Sequence, residues 1–366
     1  MSGSVSTNSS RRSGSIGTAA SGPTVSASNP TITTNPTLGT QWANSSTGDF
    51  YVCTTATADA NVWTHVDNAQ DSIAPWAYQG ENFGYAAGGN GPSDVIDKYS
   101  YSSDANATDV GNLLAGIAYA SPVGCSSDTY GYALGGASSN VIQKSQFSAD
   151  GNSTDVGDLA VTRSSAVGTN SATNGYGSSG NIGAAPGVDT VDKFALSSTA
   201  SATDIGNLTQ ARTQAGGATD LSGGYGYCVG GGTGNGTRYD IIDRNAFSSD
   251  GDSADVGDML QGSYRGGGAS STTHGYMTGG HNGSGYINVI EKFAFGSSSS
   301  GTDVGDIVGN HGSLSGTSAT SYGYWAGGGP PGTLNNIEKY SFSSDGNSTD
   351  VGDLTVSRRD AAGFHY

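Results

Sequence analysis

The chain has 366 residues, of which 61 are glycine and only 12% are charged, and its net charge is −17. A nucleic-acid-binding protein needs a basic surface that displaces counterions from phosphates, so this acidic composition excludes that class. No stretch of about 18 apolar residues exists, which excludes a membrane-spanning helix, and nine prolines without a Gly-X-Y period exclude collagen.

Residues 1–35 consist mainly of Ser, Thr, Gly and Asn and offer almost nothing to bury. Such a segment cannot offset the entropy of folding by itself. We predict an extended, low-complexity arm, and the simplest reason for ordering it is a partner in an assembly.

Residues 36–70 differ, because three β-rich runs (TQWAN, DFYVC and NVWTHV) alternate with the turn-rich segments NSSTGD and TATADAN. This pattern predicts a small antiparallel β-meander with Trp42, Tyr51 and Trp63 as its core.

Residues 71–366 repeat one unit of about 48 residues six times. A Gly-Tyr pair recurs at Gly84, Gly131, Gly175, Gly226, Gly275 and Gly323. An Asp-aliphatic-Gly step recurs at Asp109, Asp155, Asp204, Asp255, Asp303 and Asp350. Each unit holds four short β-like segments, in the second unit SAVGT, NGYGSSG, TVDKFAL and TDIGNL. Four strands per 40–50 residues is typical of a propeller blade, so the fold class is all-β with six four-stranded blades.

The phrase YSFSSDGNSTDVGDL at residues 340–354 has near-copies in all the other units. Its Ser-Asp-Gly-Asn cluster is typical of a hairpin turn, because Asn and Gly tolerate positive φ. We interpret the phrase as the outer hairpin of a blade. Alternating aromatic residues such as Tyr99 with Tyr101, and Tyr340 with Phe342, would then face the adjacent blade.

The chain offers two candidates for completing the first blade. Residues 360–363 (DAAG) align with Ser165–Gly168 of a first strand, and residues 74–77 (APWA) align with SPVG at 121–124. We favour the C-terminal segment, which would close the ring and cover sheet edges.

The Gly-Gly stop of each unit, the strand VIDKYS and the strand that follows Arg163 resemble kelch repeats. The resemblance covers residues 74–366, although the Trp usual near the fourth strand is replaced by Thr-Asp-Val-Gly-Asp-Leu. It implies a six-bladed kelch-like β-propeller.

The phrases FSSDGNSTDVGDLTVSRRDAAG and STTHGYMTGG are similar to Gly/Ser-rich kelch-type repeats in virion structural proteins of marine tailed bacteriophages. Residues 38–66 are similar to a small module that precedes distal domains in tail-fibre-like proteins of such phages. The resemblance implies a virion protein, oligomeric on the particle and attached to other virion proteins through residues 1–66. Its propeller would contact a host cell-surface glycan or protein. The alternative is a structural capsid-decoration or tail-assembly component without receptor binding.

One position in each repeat concentrates basic or titratable groups, five residues after the acid or amide that ends the Asp-aliphatic-Gly-Asp/Asn step. The six residues there are Ile117, Arg163, Arg212, Ser263, His311 and Arg358. The cations could form salt bridges between blades, or they could form an anion or acidic-glycan site near the central channel.

The segments after Gly-Gly differ freely between units, whereas the hairpin turns hardly vary. Variable loops on a rigid scaffold are where recognition usually lies. Arg238, Tyr239, His281 and Tyr286 are therefore candidate ligand-binding residues, together with Arg163, Arg212, His311 and Arg358. We expect these loops and the basic positions to share one face.

We expect no enzyme, because the five histidines are scattered and no carboxylate pair is singled out. We also expect no cofactor. The turns at Asp150–Asp155 and Asp345–Asp350 carry oxygen ligands that leave calcium as an alternative, but their spacing does not match the EF-hand loop.

Overall fold

The computed structural model describes residues 22–58, 60–66, 77–90, 93–114, 123–136, 139–296, 300–330 and 332–366. These residues contain 28 β-strands and no helix, so none of them forms a helix long enough to cross a membrane. The chain divides into two compact units, Met1–Trp76 and Ala77–Tyr366.

The first unit contains one four-stranded sheet, with strands in the order β1 (Thr24–Ser26), β2 (Gln41–Asn44), β3 (Phe50–Thr55) and β4 (Val62–His65). Strands β2 to β4 form the predicted antiparallel meander, and Tyr51, Cys53 and Trp63 are buried with Trp42 packed against them.

Strand β1 belongs to the segment that the sequence analysis assigned to the arm, and it pairs in parallel with β2. The indole N–H of Trp42 donates to the Ser28 carbonyl at 2.8 Å, and that of Trp63 donates to the Thr31 carbonyl at 3.1 Å. Both tryptophans therefore bind the preceding segment as well as the core of the meander.

The second unit is β-propeller-like and contains six four-stranded antiparallel sheets, which we number 1 to 6. Their first strands are β28 (Ala362–His365), β8 (Val123–Ser126), β12 (Val167–Asn170), β16 (Gly216–Asp220), β20 (Gly267–Ser270) and β24 (Ser315–Ser318). Their second strands are β5 (Phe83–Ala87), β9 (Tyr130–Gly136), β13 (Asn174–Ser178), β17 (Tyr225–Val229), β21 (His274–Thr278) and β25 (Tyr322–Ala326). Their third strands are β6 (Val95–Ser100), β10 (Ser139–Gln146), β14 (Val188–Ala195), β18 (Ile241–Ala246), β22 (Val289–Ala294) and β26 (Leu334–Ser341). Their fourth strands are β7 (Thr108–Asn112), β11 (Thr154–Asp158), β15 (Thr203–Arg212), β19 (Ala254–Asp258), β23 (Thr302–Asp306) and β27 (Thr349–Arg358).

The C-terminal strand β28 completes sheet 1, as favoured from the sequence. It pairs antiparallel with β5, with Ala362 opposite Ala87 and His365 opposite Gly84. The chain just after the competing segment lies beside another sheet, because Gly80 forms a parallel bridge with Ala319 of sheet 6. Residues 74–76 lie outside the described residues.

A ring of six glycines joins the first strands around one axis. Each first strand carries a glycine whose missing Cβ would lie against a backbone carbonyl oxygen of the preceding ring glycine. These distances are 1.8 Å for Gly124 to Gly363, 2.2 Å for Gly168 to Gly124, 2.8 Å for Gly217 to Gly168, 2.2 Å for Gly268 to Gly217, 2.0 Å for Gly316 to Gly268 and 2.2 Å for Gly363 to Gly316. The six contacts return to the starting strand, so the first strands pack in a closed cycle that tolerates no side chain at these positions.

We expect Gly268→Ala to destabilise the second unit by about 3 kcal/mol, at the upper end of the range for overpacking, because the new methyl group meets backbone rather than a side chain that can move. Gly285→Ala is the matched control, since no atom lies within 4 Å of its added Cβ, and its effect should stay within about 0.5 kcal/mol. Urea unfolding measures both. Equal effects of the two substitutions would show that the ring is not tightly packed.

A second ring of hydrogen bonds lies at the C-terminal ends of the same strands. In each sheet a backbone N–H donates to a side chain on the neighbouring first strand. The pairs are Ser126 to Asn170, Asn170 to Thr219, Thr219 to Ser270, Ser270 to Ser318, Ser318 to His365 and His365 to Ser126, at 2.8–3.4 Å.

His365 closes this second ring as a neutral imidazole. Its Nδ1 accepts from Ser318 at 3.4 Å, and its Nε2 donates to the Tyr78 carbonyl at 2.6 Å. Burial lowers the pKa of His365 to about 4, which is consistent with an acceptor nitrogen at this position.

The repeated phrase forms the hairpin between the third and fourth strands, as predicted, and it binds the neighbouring sheet at three points. A lysine of one sheet pairs with the turn aspartate of the next, as Lys98 does with Asp150 at 3.1 Å. Asn152 Oδ1 accepts from the Asn112 N–H across the same boundary at 3.0 Å. The glycine of the Asp-Val-Gly step has positive φ, and a Cβ on Gly111 would lie 2.1 Å from the Gly151 carbonyl oxygen. The phrase is therefore a connection between sheets.

Candidate functional site

Three of the predicted ligand-binding arginines are buried in ion pairs between neighbouring sheets. They bind aspartates on third strands, in the pairs Arg163–Asp192, Arg212–Asp243 and Arg358–Asp97. All six side chains have no exposed area. Arginine also donates to backbone carbonyls, for example Arg212 to Cys228 at 3.1 Å. The structure therefore places Arg163, Arg212 and Arg358 in buried salt bridges between sheets, the alternative that the sequence left open, and away from any exposed surface.

The acceptor position of these pairs was missed from the sequence, although a signal existed. Its six residues are Asp97, Gln143, Asp192, Asp243, Glu291 and Glu338. Aspartate occurs only where the preceding unit supplies arginine, whereas Gln or Glu occurs where that unit supplies Ile117, Ser263 or His311. All six side chains accept a backbone N–H from the preceding sheet, as Glu291 does from Leu260 at 2.9 Å, and the longer ones make this bond without an arginine partner. Burial raises the pKa of Glu291, since no cation pairs with it among the described residues.

His311 occupies the arginine position between sheets 5 and 6. Its ring is half-buried and lies 6.4 Å from the ring of Trp325. The structure therefore places His311 against Trp325 on a second strand.

The predicted loop residues Arg238, His281 and Tyr286 come together with two residues that the sequence analysis did not select, Tyr264 and Arg265. We call these five the arginine–tyrosine cluster. The Arg238 guanidinium carbon lies 3.9 Å from the Tyr264 ring centroid, and that of Arg265 lies 5.2 Å from it. The His281 ring contacts both tyrosines edge-on, with centroids 5.4 Å from Tyr264 and 4.9 Å from Tyr286.

Backbone bridges hold the loops of the cluster in place. His281 forms antiparallel bridges with Tyr264 and with Tyr286, and Arg238 forms one with Gly232. The fourth predicted loop residue, Tyr239, donates its backbone N–H to the Gly231 carbonyl at 2.8 Å. Tyr239 therefore helps to shape the loop that carries Arg238.

The loops after Gly-Gly lie on the same face as the entries into the first strands, as expected. The bridges that join them are Ser164 with Asn181, Thr213 with Gly232, Tyr264 with His281, Gly312 with Gly329 and Arg359 with Asn90. We call this side of the second unit the loop face.

Residues with left-handed backbone surround the axis at the loop face. The five of them are Ser165, Gln214, Arg265, Ser313 and Asp360, with φ between 52° and 67°. Four of the five donate a backbone N–H to the carbonyl of the preceding member, as Arg265 does to Gln214 at 2.8 Å. Glycine adopts this conformation without strain, and the chain is rich in glycine, yet all five positions carry polar side chains. Strained non-glycine residues of this kind cluster at functional sites.

A cleft of about 540 Å³ opens on the loop face between residues 181–187 and 233–238. Arg238, Tyr264, Arg265 and Gln214 line it, and Gln214 and Arg265 also line the cavity on the axis. When the Gln214 amide oxygen faces Arg265, this oxygen accepts hydrogen bonds from Arg265 Nε at 2.9 Å and from Arg265 Nη2 at 3.1 Å. The Arg265 guanidinium therefore lines both the cavity on the axis and the cleft, and Gln214 holds it in a fixed orientation.

The cluster concentrates cations that lack a carboxylate partner within the described residues. Lys98, Lys193, Lys292 and Lys339 pair with turn aspartates, whereas neither Arg238 nor Arg265 has a described carboxylate within 4 Å. Arg238 Nε is buried without a hydrogen-bond partner among the described residues. Burial, followed by the positive charges of Arg238 and Arg265, lowers the pKa of His281. The cleft is thus a positive site on an acidic protein.

The opposite mouth of the axis receives the chain as it enters the second unit. Gln79 Nε2 donates to the Ser270 carbonyl at 3.2 Å, and the Gly80 N–H donates to the Ser318 carbonyl at 2.8 Å. The Tyr78 and His365 rings lie 4.7 Å apart. Residues 78–80 therefore lie at the far ends of the first strands from the loop face.

The carboxylates considered for calcium bind protein groups. Asp150 and Asp345 pair with Lys98 and Lys292. Asp155 Oδ1 accepts from the Gly157 N–H at 3.0 Å, and Asp350 Oδ1 accepts from the Gly352 N–H at 3.2 Å. Within the described ranges, no group of three or more His, Cys, Asp or Glu side chains could hold a metal ion.

No model of a known protein family matches the chain, and no curated protein matches it either.

Proposed function

We propose that the protein is a non-enzymatic virion component of a tailed bacteriophage, similar to tail fibres, in which a six-bladed kelch-like propeller recognises the host surface. The observation that carries the proposal is the arginine–tyrosine cluster beside an open cleft on the loop face. Loops that vary between repeats form this cleft, whereas the connections between sheets are repeated, and recognition surfaces typically lie on such loops.

The virion assignment follows from the resemblance of the repeated phrases to phage proteins. Residues 1–66 would attach the protein to other virion proteins. Within the second unit, residues 78–80 lie at the opposite mouth of the axis from the loop face.

A structural component of the capsid or tail, without receptor binding, is the second candidate. The closed packing of the glycine ring and the repeated connections between sheets favour it, because they produce a rigid body suited to a spacer. The two candidates differ in whether the loop face binds anything on a cell.

Binding of the fluorescently labelled full chain to marine host bacteria tests the proposal. We expect saturable binding that is lost when residues 233–237 and 282–285 are replaced by short Gly-Ser turns. Lys339→Ala, on the outer connection to Asp104, is the control and should bind like the unaltered protein. Absence of binding by the folded protein across a panel of hosts would favour the structural candidate.

A further inference from the structure

We infer that the cleft binds a carboxylate-bearing carbohydrate, with the sugar carboxylate held by Arg238 and Arg265. This inference rests on the proposed recognition function and specifies the chemistry of its ligand.

The charge of the protein determines which ligands can approach the cleft. A protein of net charge −17 repels polyanions, so an anionic ligand needs a local excess of positive charge. Arg238 and Arg265 provide that excess at one place, because both lie over Tyr264 and no described carboxylate lies within 4 Å of either. Asp360 interacts with Arg265 over a longer distance, and it also has Arg359 as a neighbour. Two cations suit one carboxylate per binding site, and they are too few for a nucleic acid backbone.

The Arg238 and Arg265 guanidinium groups are held in orientations that suit a carboxylate. A guanidinium group placed over an aromatic ring is held by the cation–π attraction, and its N–H groups can still pair with a carboxylate. Arg238 donates from Nη1 to the Thr237 carbonyl at 3.0 Å, while its buried Nε lacks a described partner. Arg265 is fixed by Gln214 and by the Tyr286 hydroxyl at 3.4 Å. Both groups are therefore oriented before a ligand arrives, which lowers the entropy lost on binding.

The residues that line the cleft favour a sugar over an acidic peptide. Beyond the cluster, the rest of the lining is glycine, alanine, one proline and five polar side chains, which are Asn181, Thr213, Gln214, Thr233 and Asn235. Amides and hydroxyls match the hydroxyl groups of a sugar ring, whereas anchoring a peptide requires apolar pockets for its side chains.

Calorimetric titration of the full chain with uronate oligomers tests the inference, using oligogalacturonate, oligoglucuronate and oligomannuronate. The methyl ester of each oligomer is the matched ligand, because esterification removes the charge and keeps the sugar. We expect one of the acids to bind and its ester to bind about tenfold more weakly or worse, as the loss of a hydrogen bond to a charged group predicts.

Arg238→Gln and Arg265→Gln should each weaken binding of that acid about tenfold or more. Arg244→Gln is the control, since it removes the same charge from a guanidinium whose carbon lies 4.2 Å from the Tyr225 ring centroid, outside the cleft, and it should leave binding unchanged. Circular dichroism of all variants verifies that the sheets remain folded.

Several outcomes would overturn the inference. They are equal binding of acid and ester, equal binding of dextran sulfate, insensitivity to Arg238→Gln and Arg265→Gln, or no binding of any acid. Saturable cell binding alongside any of these results would leave the recognition function standing. Uronate binding without cell binding would instead support the ligand chemistry and remove the proposed host contact.

Discussion

Deletion of residues 361–366 is expected to abolish the cooperative unfolding transition of the second unit. The deletion removes β28, exposes the edge of β5 and opens both rings around the axis, because Gly363 and His365 each lie between sheets 6 and 2. It retains Arg358 and its ion pair with Asp97, so the loss is assignable to the strand. Thermal melting followed by near-ultraviolet circular dichroism measures the effect.

Adding the missing strand back provides the control for that deletion. A synthetic peptide of residues 359–366 should restore the transition by pairing with β5, in the manner of donor-strand complementation. The same peptide carrying Gly363→Ala should not, since the new Cβ would lie 2.2 Å from the Gly316 carbonyl oxygen. Melting of the truncated protein that matches the full chain would refute the assignment of β28 as the closing strand.

Arg212→Met is expected to destabilise the second unit by about 3–5 kcal/mol, because it leaves Asp243 buried without its cation. Two hydrogen bonds from Thr209, at 3.0 Å from N–H and 2.7 Å from the hydroxyl, remain on the Asp243 carboxylate. They do not neutralise its charge. Urea unfolding at neutral pH gives the change in free energy.

Lys193→Met is the matched control for that substitution, because Lys193 joins the same two sheets through Asp250 and loses the same charge. Its partner Asp250 is 57% exposed, so the change should be about 1 kcal/mol or less. The double substitution Arg212→Met with Asp243→Leu should be less destabilising than Arg212→Met alone, since no buried charge remains. A single-substitution effect as small as that of Lys193→Met would contradict the burial of the pair.

The repeated units made much of the fold predictable. Four short β-like segments in each unit correspond to the four strands of each sheet, and the alignment of residues 360–363 with a first strand identified β28. The aromatic residues also lie where alternation placed them, since Tyr101 in sheet 1 packs 4.6 Å from Tyr324 in sheet 6. These features depend on local periodicity, which a single sequence contains.

The candidate site was only partly predictable. A basic residue at the end of a fourth strand fits both a channel site and a buried ion pair, and only the distance to Asp97, Asp192 or Asp243 separates them. A comparison of the six units could have predicted the ion pairs, because an aspartate follows in the next unit wherever a unit has arginine at this position. Tyr264 and Arg265 were missed because they precede a first strand, outside the variable loops, and join the cluster through tertiary contacts.

The position of β28 also sets the order in which the molecule can be assembled during synthesis. Sheets 2 to 6 can each form from consecutive strands, whereas β5 waits on the order of 280 residues for its partner. At roughly 5–20 residues per second, the nascent chain carries one open sheet edge for tens of seconds. A chain whose sheet edge is still open can pair with the β28 of another copy, so exchange of this strand between copies competes with closure.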